Sequence, residues 1–148
     1  MWVKEDIPDT DYVYIRVSNT FISSKDQKPK AAAFSNTPKD GDNLSCDWSG
    51  YCTPTESHEL ISLQKNFRTG LFKNHLNFSI WSMNTGNIRE KVVPKQILSH
   101  DPLYNAEPIE GIPNNRAHSI IIGEKPENVA EFRVTMVQNG DWAIGPLV

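Results

Sequence analysis

Residues 76–83 read Leu-Asn-Phe-Ser-Ile-Trp-Ser-Met, with apolar side chains interleaved with Asn77, Ser79 and Ser82. A strand sends successive side chains to opposite faces, so this interleaving predicts a strand with one dry face. Such a strand cannot stand alone, because its backbone needs neighbours and its apolar face needs a covering layer. The remaining sequence must therefore supply further strands and something to pack on them.

Short candidates are spread along the chain. Tyr12 to Val17 combine aromatic and β-branched residues at strand length, with Arg16 inside the run, and predict a first strand. Residues 18–30 read as a polar loop, and Ala31 to Phe34 as a second strand. Pro38-Lys39-Asp40-Gly41-Asp42-Asn43 is turn chemistry, followed by a short extended segment over Leu44 to Trp48. Asn84 to Asn87 predict a turn, returning as a hairpin strand over Ile88 to Val93, with Pro94 ending any central position. Ser99 to Arg116 carry Pro102, Pro108, Gly111 and Pro113 and predict a long loop, after which Ala117 to Ile122 form an interior strand closed by Gly123.

Two helices fit the covering layer. Thr53-Pro54-Thr55-Glu56 has a capping residue, a proline suited to the first helical position and a glutamate that completes a capping box, so a helix begins at Pro54 and ends between Leu63 and Thr69. A second opens at Pro126, with Val129, Phe132, Arg133, Met136 and Val137 at helical spacing and Asn139-Gly140 as its stop. Trp142 and Ile144 then pack back. The expected fold is α+β, a single domain over residues 1–148 with a mostly antiparallel sheet of five to seven short strands and both helices on one face.

Composition narrows the function classes. The opening residues lack a basic segment followed by an apolar stretch, so no secretory leader is expected, and no apolar run approaches the roughly 20 residues that span a bilayer. Two cysteines, Cys46 and Cys52, are too few for a disulfide framework and fit a reducing, cytoplasmic setting. They enclose five residues, wider than a tight metal or redox pair, so a zinc site with His58 and either His100 or His118 is weaker than two ordinary thiols. No metal and no cofactor are assigned. The net charge of −3 disfavours nucleic acid as the main partner. That figure hides a basic middle: residues 61–100 hold six Lys/Arg against one Asp/Glu, while both flanks are acidic.

Several words occur in a fixed order. They are Asp40-Gly41-Asp42-Asn43-Leu44-Ser45-Cys46-Asp47-Trp48, then Tyr51-Cys52-Thr53-Pro54-Thr55-Glu56, His100-Asp101-Pro102-Leu103, and Asn115-Arg116-Ala117-His118 with Ile122-Gly123-Glu124-Lys125. In these the chain resembles a group of small uncharacterised bacterial proteins across most of residues 31–142. The resemblance implies kinship and no activity.

Two functional readings compete. In the basic middle, Lys65, Arg68, Lys73 and Arg89 interleave with Phe72 and Trp81, a cationic surface with aromatic anchors that suits an acidic protein partner. This favours a non-enzymatic interaction or adaptor module, an accessory protein of a bacterial system. The alternative is a small enzyme, a hydrolase or a nucleotide binder, built on Arg16, His100, Asp101 and His118, since imidazole next to an orienting or nucleophilic neighbour is acid–base chemistry. Within it, Arg16 in a first strand, Ser35 after a later apolar run and several downstream glutamates resemble an ADP-ribosyl-transferase-like arrangement that holds a nicotinamide dinucleotide. Ser119 adjoins His118 but would face the other way on a strand. A two-histidine phosphoesterase is discarded for want of a second motif, and Walker, nucleophile-elbow and His-Glu-x-x-His words are absent. Convergence of the four residues in one concave pocket would favour the enzyme, and dispersal the adaptor.

Overall fold

The computed structural model describes residues 1–38 and 41–146, so Lys39 and Asp40 of the expected turn lie outside the described residues. The part of that turn within them carries Gly41 at φ 69° and Asp42 at φ 63°, left-handed conformations suited to Gly and tolerated by Asp.

The fold is α+β. Six strands form one antiparallel sheet: β1 (Tyr12–Ser18), β2 (Leu44–Trp48), β5 (Phe78–Asn84), β6 (Ile97–His100), β7 (His118–Ile122) and β8 (Gly140–Ile144), in the order β6-β7-β2-β1-β5-β8. β3 (Lys65–Asn66) and β4 (Leu71–Phe72) form a separate two-stranded hairpin. The helices are α1 (Pro54–Leu60), α2 (Thr85–Lys91) and α3 (Ala130–Gln138).

The core lies on one face of the sheet. Val13, Ile15 and Val17 of β1, Trp81 and Met83 of β5 and Ile121 of β7 meet Ile88 of α2 and Phe132 and Met136 of α3 in one buried cluster. β5 is dry on more than the one face its sequence predicts, because Ile80 is also fully buried on the opposite side. Ile80 and Trp81 pair in unbroken register with Arg16 and Ile15 of β1, so ordinary alternation sends them to opposite faces of the sheet, and both are covered there.

α1 lies on the opposite face from α2 and α3, rather than sharing one with its partner helix. Ser57 of α1 hydrogen-bonds Asp47, whose side chain points away from the cluster, and His58 bonds the carbonyl of Phe78. The capping box is present: Thr53 Oγ1 accepts from the Glu56 amide, and the Glu56 carboxylate accepts from the Thr53 amide.

Two expected strands are helical. Ala31–Phe34 is a 3-10 turn, in which the Ala33 amide bonds the Lys30 carbonyl and Phe34 is driven into the core. Three alanines have no β-branching to hold an extended chain. Residues 88–93 do not return as a hairpin strand, because Asn84 caps α2 through its side chain to the Asn87 amide, and Arg89 and Lys91 sit in the last turn where cations suit the helix dipole. The place beside β5 is filled by β8 instead, with Trp142 edge-on to Trp81 at 5.0 Å. The final helix starts at Ala130 after a turn over Pro126 to Val129, and the expected long loop yields its first residues, Ser99 and His100, to β6.

Removing the Thr53 side chain deprives the first turn of α1 of a partner. Thr53→Ala should lower stability by about 1 kcal/mol, read as a reduced urea midpoint at unchanged slope.

Candidate functional site

The face of the sheet opposite the core carries a polar row. Antiparallel register aligns Tyr14 of β1 with Asp47 of β2, and Asp47 with His118 of β7, so side chains from three adjacent strands emerge side by side. Asp47 is nearly fully buried. Its Oδ2 accepts from Arg16 at 2.9 Å and from Ser57 Oγ at 2.5 Å, and its Oδ1 from Asn115 Nδ2 at 2.7 Å. A buried carboxylate is costly unless donors satisfy it, and here there are three. Arg16 is 19% exposed, gives one terminal nitrogen to Asp47 and leaves its buried Nε without a partner.

Above this row lies a cavity of about 550 Å³. Tyr14, Arg16, Ser45, Asp47 and His118 form its floor, Ile61, Gln64, Phe78 and Leu103 its walls, and Phe21, Ala32, Ser35, Lys73 and Glu127 line it further. Ser35 Oγ donates to Glu127 Oε1 at 2.5 Å, so a residue just after the 3-10 turn meets one just before α3 at this cavity.

Of the residues marked in the sequence, Arg16 and His118 meet at the cavity, and Asp101 stands behind His118 with its carbonyl 2.8 Å and its carboxylate 3.4 Å from Nδ1. His100 does not join them. As Asp101's neighbour on a strand end it faces the other side, stacked on Tyr51 and edge-on to Trp48, its Nδ1 accepting from the Glu5 amide and its Nε2 donating to the Arg116 carbonyl at 2.6 Å. A ring with both nitrogens committed to the main chain holds the N-terminal segment in place. Ser119, likewise, points into the core and bonds the Ala117 carbonyl.

The basic set disperses. Lys65 and Phe72 face each other across the hairpin at 5.6 Å, Arg68 sits in its turn, and Lys73 reaches the cavity. Arg89 pairs with Asp9 at 2.6 Å on α2. Trp81 is fully buried in the core, which removes it as a surface anchor. Among the described residues no group of three or more His, Cys, Asp or Glu is placed to hold a metal ion.

Sequence reasoning passed over Ser45, Asp47, Ser57 and Asn115. The signal was in Leu44-Ser45-Cys46-Asp47-Trp48, where strict alternation puts an alcohol and a carboxylate on one face of a short strand. No known protein family, curated protein or solved structure matches this chain.

Burial shapes the thiols. It pushes Cys46 well above the ordinary thiol value and Cys52 up to about 12, with the nearby Asp47 carboxylate adding to both. Folded thiols thus stay protonated where unfolded ones, near 9.0, ionise, and this lowers stability as pH rises above about 9. Lys125, lowered by burial to about 8, acts in the opposite sense between there and its ordinary 10.5. A difference between variants isolates the thiol: the gap in urea midpoint between wild type and Cys46→Ala should shrink from about pH 9 upward, where the thiol ionises in the unfolded chain.

Proposed function

We propose that the protein is a small enzyme or binding protein that takes a nucleotide-class ligand in the cavity above Arg16. The observation that carries this reading is the convergence of Arg16, Ser45, Asp47 and His118 from three adjacent strands on one concave site of about 550 Å³, within the size range of small-molecule pockets. The lining is mixed in the way such a ligand needs. Tyr14, Phe21 and Phe78 offer flat apolar surface for a base, while Arg16 and Lys73 offer positive charge for phosphate.

Of the nucleotides, a nicotinamide dinucleotide fits the charges best. It joins an anionic pyrophosphate to a cationic pyridinium, and the cavity lining holds both the Arg16 cation, itself bonded to Asp47, and the Glu127 carboxylate that Ser35 steadies. Arg16, Ser35 and Glu127 are the ADP-ribosyl-transferase-like set, with Glu127 as its glutamate.

A second reading, an adaptor module that docks an acidic protein partner, draws on the β3–β4 hairpin. There Phe67 and Leu71 are 65% and 69% exposed beside Lys65, Arg68 and Phe72. Cytoplasmic residence and kinship with small bacterial proteins belong to the same level of proposal and rest on the reduced thiols and the shared words. No helix among the described residues is long and apolar enough to cross a membrane.

Calorimetric titration with the oxidised nicotinamide dinucleotide and with ATP tests the ligand. Binding of the dinucleotide should weaken on the order of tenfold or more in Arg16→Gln, the loss of one charge-assisted hydrogen bond. Lys65→Gln with Arg68→Gln should bind as wild type, and the melting temperature of each variant should show it folded. Heats of dilution alone for both nucleotides would defeat the reading.

A further inference from the structure

Ser45 and His118, which the ligand reading counts only as part of the cavity floor, sit on neighbouring strands in direct hydrogen-bond contact. Ser45 Oγ lies 2.8 Å from His118 Nε2, and His118 Nδ1 lies 2.8 Å from the Asp101 carbonyl. A carbonyl only accepts, so in the neutral ring Nδ1 carries the proton and Nε2 presents its lone pair to the Ser45 hydroxyl. The Asp101 carboxylate, 3.4 Å from Nδ1, faces the ring where positive charge would appear on protonation. His118 is nearly fully buried, so this charge is stabilised by a fixed partner rather than by bulk water. Ser45 is half-buried and opens on the cavity.

We infer that Ser45 is a nucleophile activated by His118 and oriented through Asp101, and that the cavity hydrolyses carboxylic esters bearing a negative charge. Nucleophile, base and orienting group within hydrogen-bond reach are the geometric requirements for covalent catalysis by a serine. Arg16, on the same cavity floor, is held by Asp47 through one terminal nitrogen and is the cation assigned to an anionic substrate.

The steps balance. Ser45 Oγ attacks the ester carbonyl carbon and its proton passes to His118 Nε2. The bond from that carbon to the alcohol oxygen breaks, and the alcohol leaves with the proton from His118. Water then attacks the acyl group on Ser45, giving a proton to His118. The bond to Ser45 Oγ breaks, the carboxylic acid departs and Ser45 recovers its proton.

The inference uses the cavity but not the identity of its nucleotide, and the test separates the two. A fluorophosphonate probe forms a bond from serine oxygen to phosphorus with loss of fluoride, and needs no knowledge of the natural ester. Incubated with the whole folded chain, it should add one adduct, mapped by peptide mass spectrometry to Ser45. Labelling should be abolished in Ser45→Ala and slowed about a hundredfold or more in His118→Ala, the range of general-base contributions. Asp101→Asn should slow it less while leaving the site of labelling unchanged. Turnover of 4-nitrophenyl acetate should fall in the same order. Should a variant fail to fold, the site of the wild-type adduct decides alone. No adduct on folded wild-type protein, or an adduct on another serine, overturns the inference even if the dinucleotide binds. An adduct at Ser45 in a protein that binds no nucleotide upholds it and leaves the nucleotide reading to fall separately.

Discussion

Asp47 is the residue on which the rest of the cavity face depends. It is nearly fully buried and takes hydrogen bonds from Arg16 on β1, Ser57 on α1 and Asn115 at the end of the irregular segment before β7. One carboxylate thereby ties a neighbouring strand, the helix laid over the sheet and the connection that leads into His118. Burying a charge without partners would cost several kcal/mol, on the order seen when ion pairs lose one member. The three donors make the position tolerable, and in return they fix Arg16, α1 and the approach to β7 relative to each other. A face covered by apolar side chains alone would pack as well but would not set those directions.

The two faces of the sheet divide the work. The side holding Val13, Ile15, Trp81, Phe132 and Met136 supplies cohesion through apolar burial, while the opposite side carries the polar row of Arg16, Ser45, Asp47 and His118 and the cavity above it. α1 and the 3-10 turn that follows it cover that second face only in part, through Ser57, His58 and Ile61, and the remainder is the cavity. Strand alternation makes this division automatic once register is set. Leu44, Cys46 and Trp48 enter the core and Ser45 and Asp47 cannot.

Much of the framework could be read from the residues. The capping box at Thr53, the β-branched run at His118 to Ile122 and the first strand carry strong local signals, and each stands where its chemistry places it. Ala31 to Phe34 and Ile88 to Val93 misled because segments of four to six residues are too short to show a period, and here a cap on Asn84 and a 3-10 turn decide the outcome. Arg16, His118 and Asp101 were visible as chemistry. Asp47 and Ser45 were not, since their roles arise from strand register between segments about 70 residues apart, as in the contact of Ser45 with His118. His100 and Trp81 look functional as residue types, yet packing claims both.

A crystal structure of the protein with a nicotinamide dinucleotide tests the central claim most directly. The account predicts the pyrophosphate beside the Arg16 guanidinium, with Ser45 and His118 at the cavity floor within reach of the ligand and the Arg16–Asp47 pair intact. A ligand bound along the β3–β4 hairpin, or against Arg89 and the N-terminal segment with the cavity above Arg16 left empty, would contradict it.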